Sequence, residues 1–169
     1  MKRPAADACA SYFHGYIEQV PDGDFAAESD AFFAGAMATL SELPEERWNS
    51  SYEPGKWTVK ELVGHCIDTE RIMSTRALAF ARGDVEAYPG FDQDVYVTGA
   101  RFDARSPASL LAEWKGLHEA NAALRESFSE EELDRAGMAD GKPTTVRALW
   151  WVIAGHERHH MRVLRERYL

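Results

Sequence analysis

Apolar residues recur every three or four positions along most of this 169-residue chain, and β-branched runs are scarce. That is the period of a helix. The spacing predicts a short leading helix over 6–20, weakened by Gly15 and ended by the turn Pro21-Asp22-Gly23-Asp24. A first main helix is expected over 25–42, with Phe32, Phe33, Ala36, Met37 and Leu40 on one face and Pro44 beyond its end. The stretch from Trp48 to Lys56, with Pro54-Gly55, reads as a loop. Thr58 and Glu61 have the spacing of a capping box. The second helix they open should run to about Arg82, where Gly83 supplies a stop. Leu62, Cys66, Thr69, Met73 and Phe80 follow its stripe.

Residues 83–105 carry no such period, and Pro89, Gly90 and Gly99 stand among Tyr88, Phe91, Tyr96 and Phe102. A connection this long is usually functional or disordered; its aromatics favour a packed loop, a candidate pocket wall. Ser106-Pro107 starts a third helix through about Phe128, with Leu110, Leu111, Trp114, Leu117 and Leu124 inward. Ser129 and Glu132 form another capping box over a short turn of helix, and 137–143 reads as a loop. The last helix is expected from Thr144 or Thr145 almost to Leu169. Four long helices with polar outer faces predict an all-α, single-domain protein: a four-helix bundle over 24–169, an N-terminal extension over 1–23, and a long loop between the second and third helices.

The composition is that of an ordinary globular chain, 45% hydrophobic and 28% charged. A formal charge of −9 disfavours a general nucleic-acid surface or an anionic membrane as partner. No apolar run approaches the ~18–20 residues of a membrane span, and no signal-peptide core follows the basic start. Two scattered cysteines make no disulfide framework. The cytoplasm is the expected compartment.

The chemistry concentrates in Gly155-His156-Glu157-Arg158-His159-His160. At about 100° per residue, His156 and His160 join Leu149, Ile153, Val163 and Leu164 within about 60° of one direction, the face that should be buried. Core histidines hydrogen-bonded to neighbours are the bland alternative. Two imidazoles centred on one stripe need two sets of partners, and one metal ion serves both. The same residues spell His-Glu-x-x-His, the zincin signature, with Glu157 in the place of the general base. Zincins take a further ligand downstream, whereas nine residues follow His160 in this sequence, so the third ligand is expected upstream. His14, His65 and His118 are available; His65, mid-helix beside an apolar stripe, is the best placed. His159 falls to the edge of the face. Cys66, next to His65, points about 100° away and suits a small buried hydrophobe.

Three blocks in order carry a resemblance: Trp57-Thr58-Val59-Lys60-Glu61-Leu62-Val63-Gly64-His65 with Asp68; Pro89-Gly90-Phe91-Asp92-Gln93; and the Gly155–His160 segment ahead of Arg165-Glu166-Arg167-Tyr168. From about residue 25 on, the chain resembles the DinB/YfiT-like family. The resemblance implies an antiparallel four-helix bundle holding a divalent transition metal, zinc or nickel foremost, on His65, His156 and His160. It also implies a small-molecule substrate, a homodimer, and either S-transfer using a low-molecular-weight thiol cosubstrate or hydrolysis. A non-catalytic metal- or ligand-binding bundle is the alternative from another class. Three imidazoles leave an open coordination position, the mark of a catalytic metal rather than a structural one; a thiol or water could take it. Asp68, one turn from His65, is a candidate to orient an imidazole. Asp92 and Tyr96 are candidates to line the substrate pocket.

Overall fold

Local hydrogen bonds set the helix ends. In the computed structural model, which describes residues 1–169, a 3-10 turn at Ser11–Phe13 leads into α1 (His14–Ile17). The Asp24 carboxylate accepts the Ala26 N–H and opens α2 (Phe25–Ser41); α3 (Glu45–Trp48) follows. The Thr58–Glu61 capping box opens α4 (Val59–Ala81). The next segment holds β1 (Ala87–Tyr88), α5 (Gln93–Ala100) and a 3-10 turn at Phe102–Ala104. Ser106 caps α6 (Pro107–Glu126), and the Ser129–Glu132 box opens α7 (Glu130–Asp134). A hairpin of β2 (Ala136–Ala139) and β3 (Lys142–Thr145) leads to α8 (Val146–Val163), capped by Thr145 and prolonged by a π-helical turn at Leu164–Tyr168. No helix is long and apolar enough to cross a membrane.

The four long helices α2, α4, α6 and α8 form the expected bundle, running in two opposed pairs. Leu62 and Val63 at the start of α4 share a core cluster with Met161 and Leu164 at the end of α8. Met73, Ala77 and Phe80 share the other cluster with Val146 and Leu149, so α4 and α8 are antiparallel. α4 and α6 run the same way, since Arg71 pairs with Glu113 and, further along, Arg82 lies over the Phe128 ring. α2 opposes α6: Phe33 meets Trp114, and Phe25 meets Arg125. Parallel neighbours cannot be joined by a tight turn; the chain must return along the bundle before it can start α6. That return is the aperiodic stretch after Gly83. It is not a bare loop, because Asp92 caps an eight-residue helix within it.

The expected scarcity of strands needs one correction. Residues 136–145, read partly as a loop, form an antiparallel hairpin whose two-residue turn is Asp140-Gly141, at φ 51° and 69°. Both left-handed turn residues match the twist of the flanking strands. β1 joins β2 in parallel, with Ala87 opposite Met138. The strands contain Gly137, Lys142 and Pro143, and their low β propensity hid them.

The leading helix is also shorter than expected. Only 14–17 are α-helical, yet the segment is built into the bundle. Cys9, Phe13, Ile17 and Val20 are buried in the cluster that includes Trp150 and Trp151. Arg3 donates to the carbonyls of Ile17 and Val20 and covers the Trp151 ring. The approach depends on Gly155, where a Cβ would stand 2.0 Å from the Tyr16 carbonyl oxygen. Backbone cannot yield as a flexible side chain can. Gly155→Ala should therefore cost about 3 kcal/mol, toward the upper part of the overpacking range, read as a lower denaturation midpoint at unchanged m. An unshifted midpoint would mean that α1 does not press on α8.

Candidate metal centre

His156 and His160 stand one turn apart on the inner face of α8, and α4 brings His65 to meet them. The Nε2 atoms of His65 and His160 each lie 3.0 Å from His156 Nε2. His65 and His156 are buried, and His160 is partly so. The rings are held edge to face, with centroids 4.3–4.9 Å apart. The Trp57 ring lies 4.8 Å from His65, and the Tyr16 ring packs on both His156 and His159.

Burial disfavours charge on all three imidazoles. It lowers His65 to about 4, with His159 adding to the effect. It lowers His160 to about 3, helped by His65 and His159. His156 falls well below the ordinary value for the same reason, with its neighbours contributing. All three are neutral near pH 7, the state that offers a lone pair. An ion bonded about 2.1 Å from each nitrogen spaces its ligands about 3.0 Å apart in cis-octahedral geometry and about 3.4 Å in tetrahedral. The observed 3.0 Å separations fit such an ion.

A pocket of about 430 Å³ opens onto His160, walled by Tyr52, Lys56, Trp57, Gln93, Asp94 and Tyr168 among others. Four separate segments meet there: the loop before α4, the first turns of α4 at Leu62, the start of α5, and the C-terminal end of α8 with its π-helical turn. The Tyr168 hydroxyl donates to the Trp57 carbonyl at 2.7 Å and ties two walls together. The anticipated wall from the long connection is present, but through Gln93 and Asp94. Asp92 spends its carboxylate on capping α5, accepting from Asp94 and Val95 N–H, and Tyr96 is half exposed against Phe91. Neither borders this pocket. Asp68 hydrogen-bonds none of the three rings; Glu113, Arg71 and Arg105 are the charges around it, so the orienting role expected of it has no contact to act through. His159 lines the pocket beside His160. The pocket wall went unread because nothing in the local pattern links Tyr52, Trp57 and Tyr168. Trp57 and Tyr168 lay in stretches already singled out, but far apart in sequence, and Tyr52 lay in none.

Glu157 turns away from the pocket. It is buried against Glu70, and burial together with that neighbour holds its carboxyl well above the usual range. A carboxyl in that position cannot serve as a zincin-type base for chemistry at the triad. Cys66 is buried as well, its thiol pushed up by desolvation, in keeping with a packing role.

Residues 33–164 match the model of the DinB superfamily. A protein of Oceanobacillus iheyensis, provisionally named a metal-dependent hydrolase, is 25% identical over 125 residues, covering 73% of this chain and 71% of its own. A protein of Geobacillus thermodenitrificans with the same provisional name is 30% identical over 129 residues, 73% of this chain and 70% of its own. Among solved structures, YfiT from Bacillus subtilis is described as a four-helix bundle of unusual topology and provisionally as a metal-dependent hydrolase. It superposes with a TM-score of 0.71 at 17% identity, covering 86% of this chain and 89% of that one. The mycothiol-dependent maleylpyruvate isomerase superposes at 0.66 and 13% identity, covering 85% of this chain and 61% of that one. At these identities the two structures speak to the fold.

The depressed histidines make the metal-free protein acid-sensitive. An unfolded chain takes up protons near 6.5, whereas native His65 does so only near 4. As pH falls from about 6.5 to about 4 the unfolded state binds more protons, and stability drops. The raised Glu70 and Glu157 act in the opposite sense, so a substitution is needed to separate the two. Chelator-treated His65→Asn should lose less Tm than the parent between pH 7 and pH 5. Equal slopes would show that His65 is not held neutral.

Proposed function

The chain belongs to the DinB superfamily, and from that premise we propose that it is a metal-dependent enzyme in which His65, His156 and His160 hold a divalent transition metal and a low-molecular-weight thiol is transferred to a small electrophile. When bound, such an ion supplies the positive charge that favours a deprotonated thiol at neutral pH. The observation that carries the proposal is the convergence of three neutral imidazoles, one of which, His160, lines an open pocket. Neutral ligands leave the charge of a divalent ion uncancelled, and this favours an anionic nucleophile beside it.

The chain's own residues supply the surroundings. His65 and His156 are held by packing on both sides, Trp57 against the first and Tyr16 against the second. Tyr52, Trp57 and Tyr168 give the pocket aromatic walls suited to the carbon skeletons of two small reactants, while Lys56, Gln93 and Asp94 provide polar contacts at its edge. At about 430 Å³ the space falls in the ordinary range for a small-molecule site. The fold shared with a mycothiol-dependent isomerase supports the thiol. Hydrolysis is the second reading, supported by the names of the two sequence relatives.

The reading is tested on purified protein supplied with zinc or nickel, following loss of an electrophile with and without added thiol. Turnover should require both thiol and metal. Substituting alanine for His65, His156 or His160 should lower it by more than about 100-fold, beyond what loss of a supporting hydrogen bond costs, and should strip the metal. Turnover in water alone would replace the transferase with a hydrolase. Full metal occupancy in all three variants would overturn the site.

A further inference from the structure

A second set of metal-ligating side chains lies inside the bundle, away from the pocket. Glu70 on α4, His118 on α6 and Glu157 on α8 offer ligand atoms that all fall within 4.8 Å of one another. Both carboxyl groups are 2% exposed and His118 is 9% exposed. Each ligand comes from a different helix, the way metal sites in bundle cores are assembled.

The surroundings fix all three. Glu70 accepts from Trp114 Nε1 and from Asn121 Nδ2, each at 2.9 Å, one bond to each oxygen. Those bonds orient the carboxylate and still leave it a lone pair on either oxygen. His118 stacks on Phe33 with centroids 3.8 Å apart, and its Nε2 faces Asp30 Oδ1 at 3.4 Å. A proton held on Nε2 for Asp30 leaves Nδ1 as the nitrogen with a free lone pair, the support found behind many metal-bound imidazoles. Glu157 Oε1 is buried and no protein group hydrogen-bonds it. Glu70, His118, Asn121 and Glu157 border a small cavity of about 10 Å³, room for the centre of one water-sized group. Arg125 and Trp150 also border it, each with an unpaired N–H. The guanidinium lies 3.8 Å from Asp30, which offsets part of its charge.

We propose that Glu70, His118 and Glu157 form a second divalent-metal site in the bundle core, separate from the histidine triad. Two carboxylates and one imidazole form a mixed donor set that suits zinc, manganese or iron better than magnesium or calcium. Two carboxylate charges balance a divalent ion where three neutral imidazoles do not. The glutamate of the His-Glu-x-x-His segment then serves one ion and its flanking histidines another.

The test is metal stoichiometry on the full chain, stripped with chelator, equilibrated with micromolar Zn²⁺, passed through gel filtration and measured by elemental analysis. The wild-type chain should carry two equivalents, and Glu157→Gln, close to the native side chain in volume, should carry one. His118→Ala, altering the opposite wall of the cavity, should also carry one, so the comparison survives if either variant fails to fold. The His156→Ala/His160→Ala pair should retain the inner equivalent, and unchanged occupancy there would count against the triad and not against this site. Equal uptake by wild type and Glu157→Gln overturns the proposal. So does a wild-type chain that carries one equivalent or none, which would leave only water and a shared proton between the carboxyls.

Discussion

The structure depends on one constraint: α4 and α8 bury polar side chains against each other halfway along the bundle, and every such group needs a partner. The apolar core is split into two clusters, one around Trp150 and Trp151, the other around Leu40, Leu62 and Trp114. His65, Glu70, His156 and Glu157 lie between them, all buried. Uncompensated, that belt would carry a desolvation cost of several kcal/mol. Partners are supplied by crowding the groups together. Two glycines admit further packing beside the histidines. Gly64 immediately precedes His65, and Gly155 immediately precedes His156; a Cβ on the first would stand 2.5 Å from the Phe102 ring and on the second 2.0 Å from the Tyr16 backbone. Each glycine lets another segment press flush against a helix at the level of a triad histidine.

The helix order builds the pocket as a by-product. Because α4 and α6 run the same way, the chain must travel back along the bundle, and it deposits β1, α5 and the Phe102 turn on the way. Phe102 seals the α4 side of the core, and the start of α5 reaches the rim beside His160. The end of α8 closes the opposite side through Val163 and Tyr168. An antiparallel connection of a few residues between α4 and α6 would have left the triad without walls.

What was legible in the chain divides along the same lines. Helix starts were readable because capping is local: Thr58 with Glu61, Ser106, Ser129 with Glu132, and Thr145 all do what their spacing implies. His156 and His160 were readable because two polar residues interrupt the centre of an apolar stripe. His65 was the best placed of three upstream candidates from its mid-helix position, the family resemblance pointed to the same residue, and the fold brings its ring to the other two. The hairpin at 136–145 was hidden by strands of four residues holding Gly and Pro; Asp140-Gly141 was its one local mark. Asp92 was noticed as a residue of a loop; it caps an unforeseen helix, and its neighbours Gln93 and Asp94 are the ones that line the pocket at His160. The pocket walls were illegible on any local rule. They are a meeting of four segments, and the meeting is set by tertiary packing.

Glu157 shows most sharply what spacing can and cannot say. At about 100° per residue, His156 and His160 differ by about 40° in direction, while Glu157 stands about 100° from the first of them. On a helix that lines an open cleft, that offset leaves a glutamate close enough to work on whatever the histidines hold. α8 is packed on several sides, and the same 100° carries the carboxyl out of the pocket into contact with Glu70 from α4, beside Asn121 from α6. The motif therefore specifies which residues share a face; the neighbouring helices decide what that face meets. Here two faces of one helix, one residue apart in sequence, meet two different sets of partners, and the chemistry of each follows from its partners rather than from the motif they share.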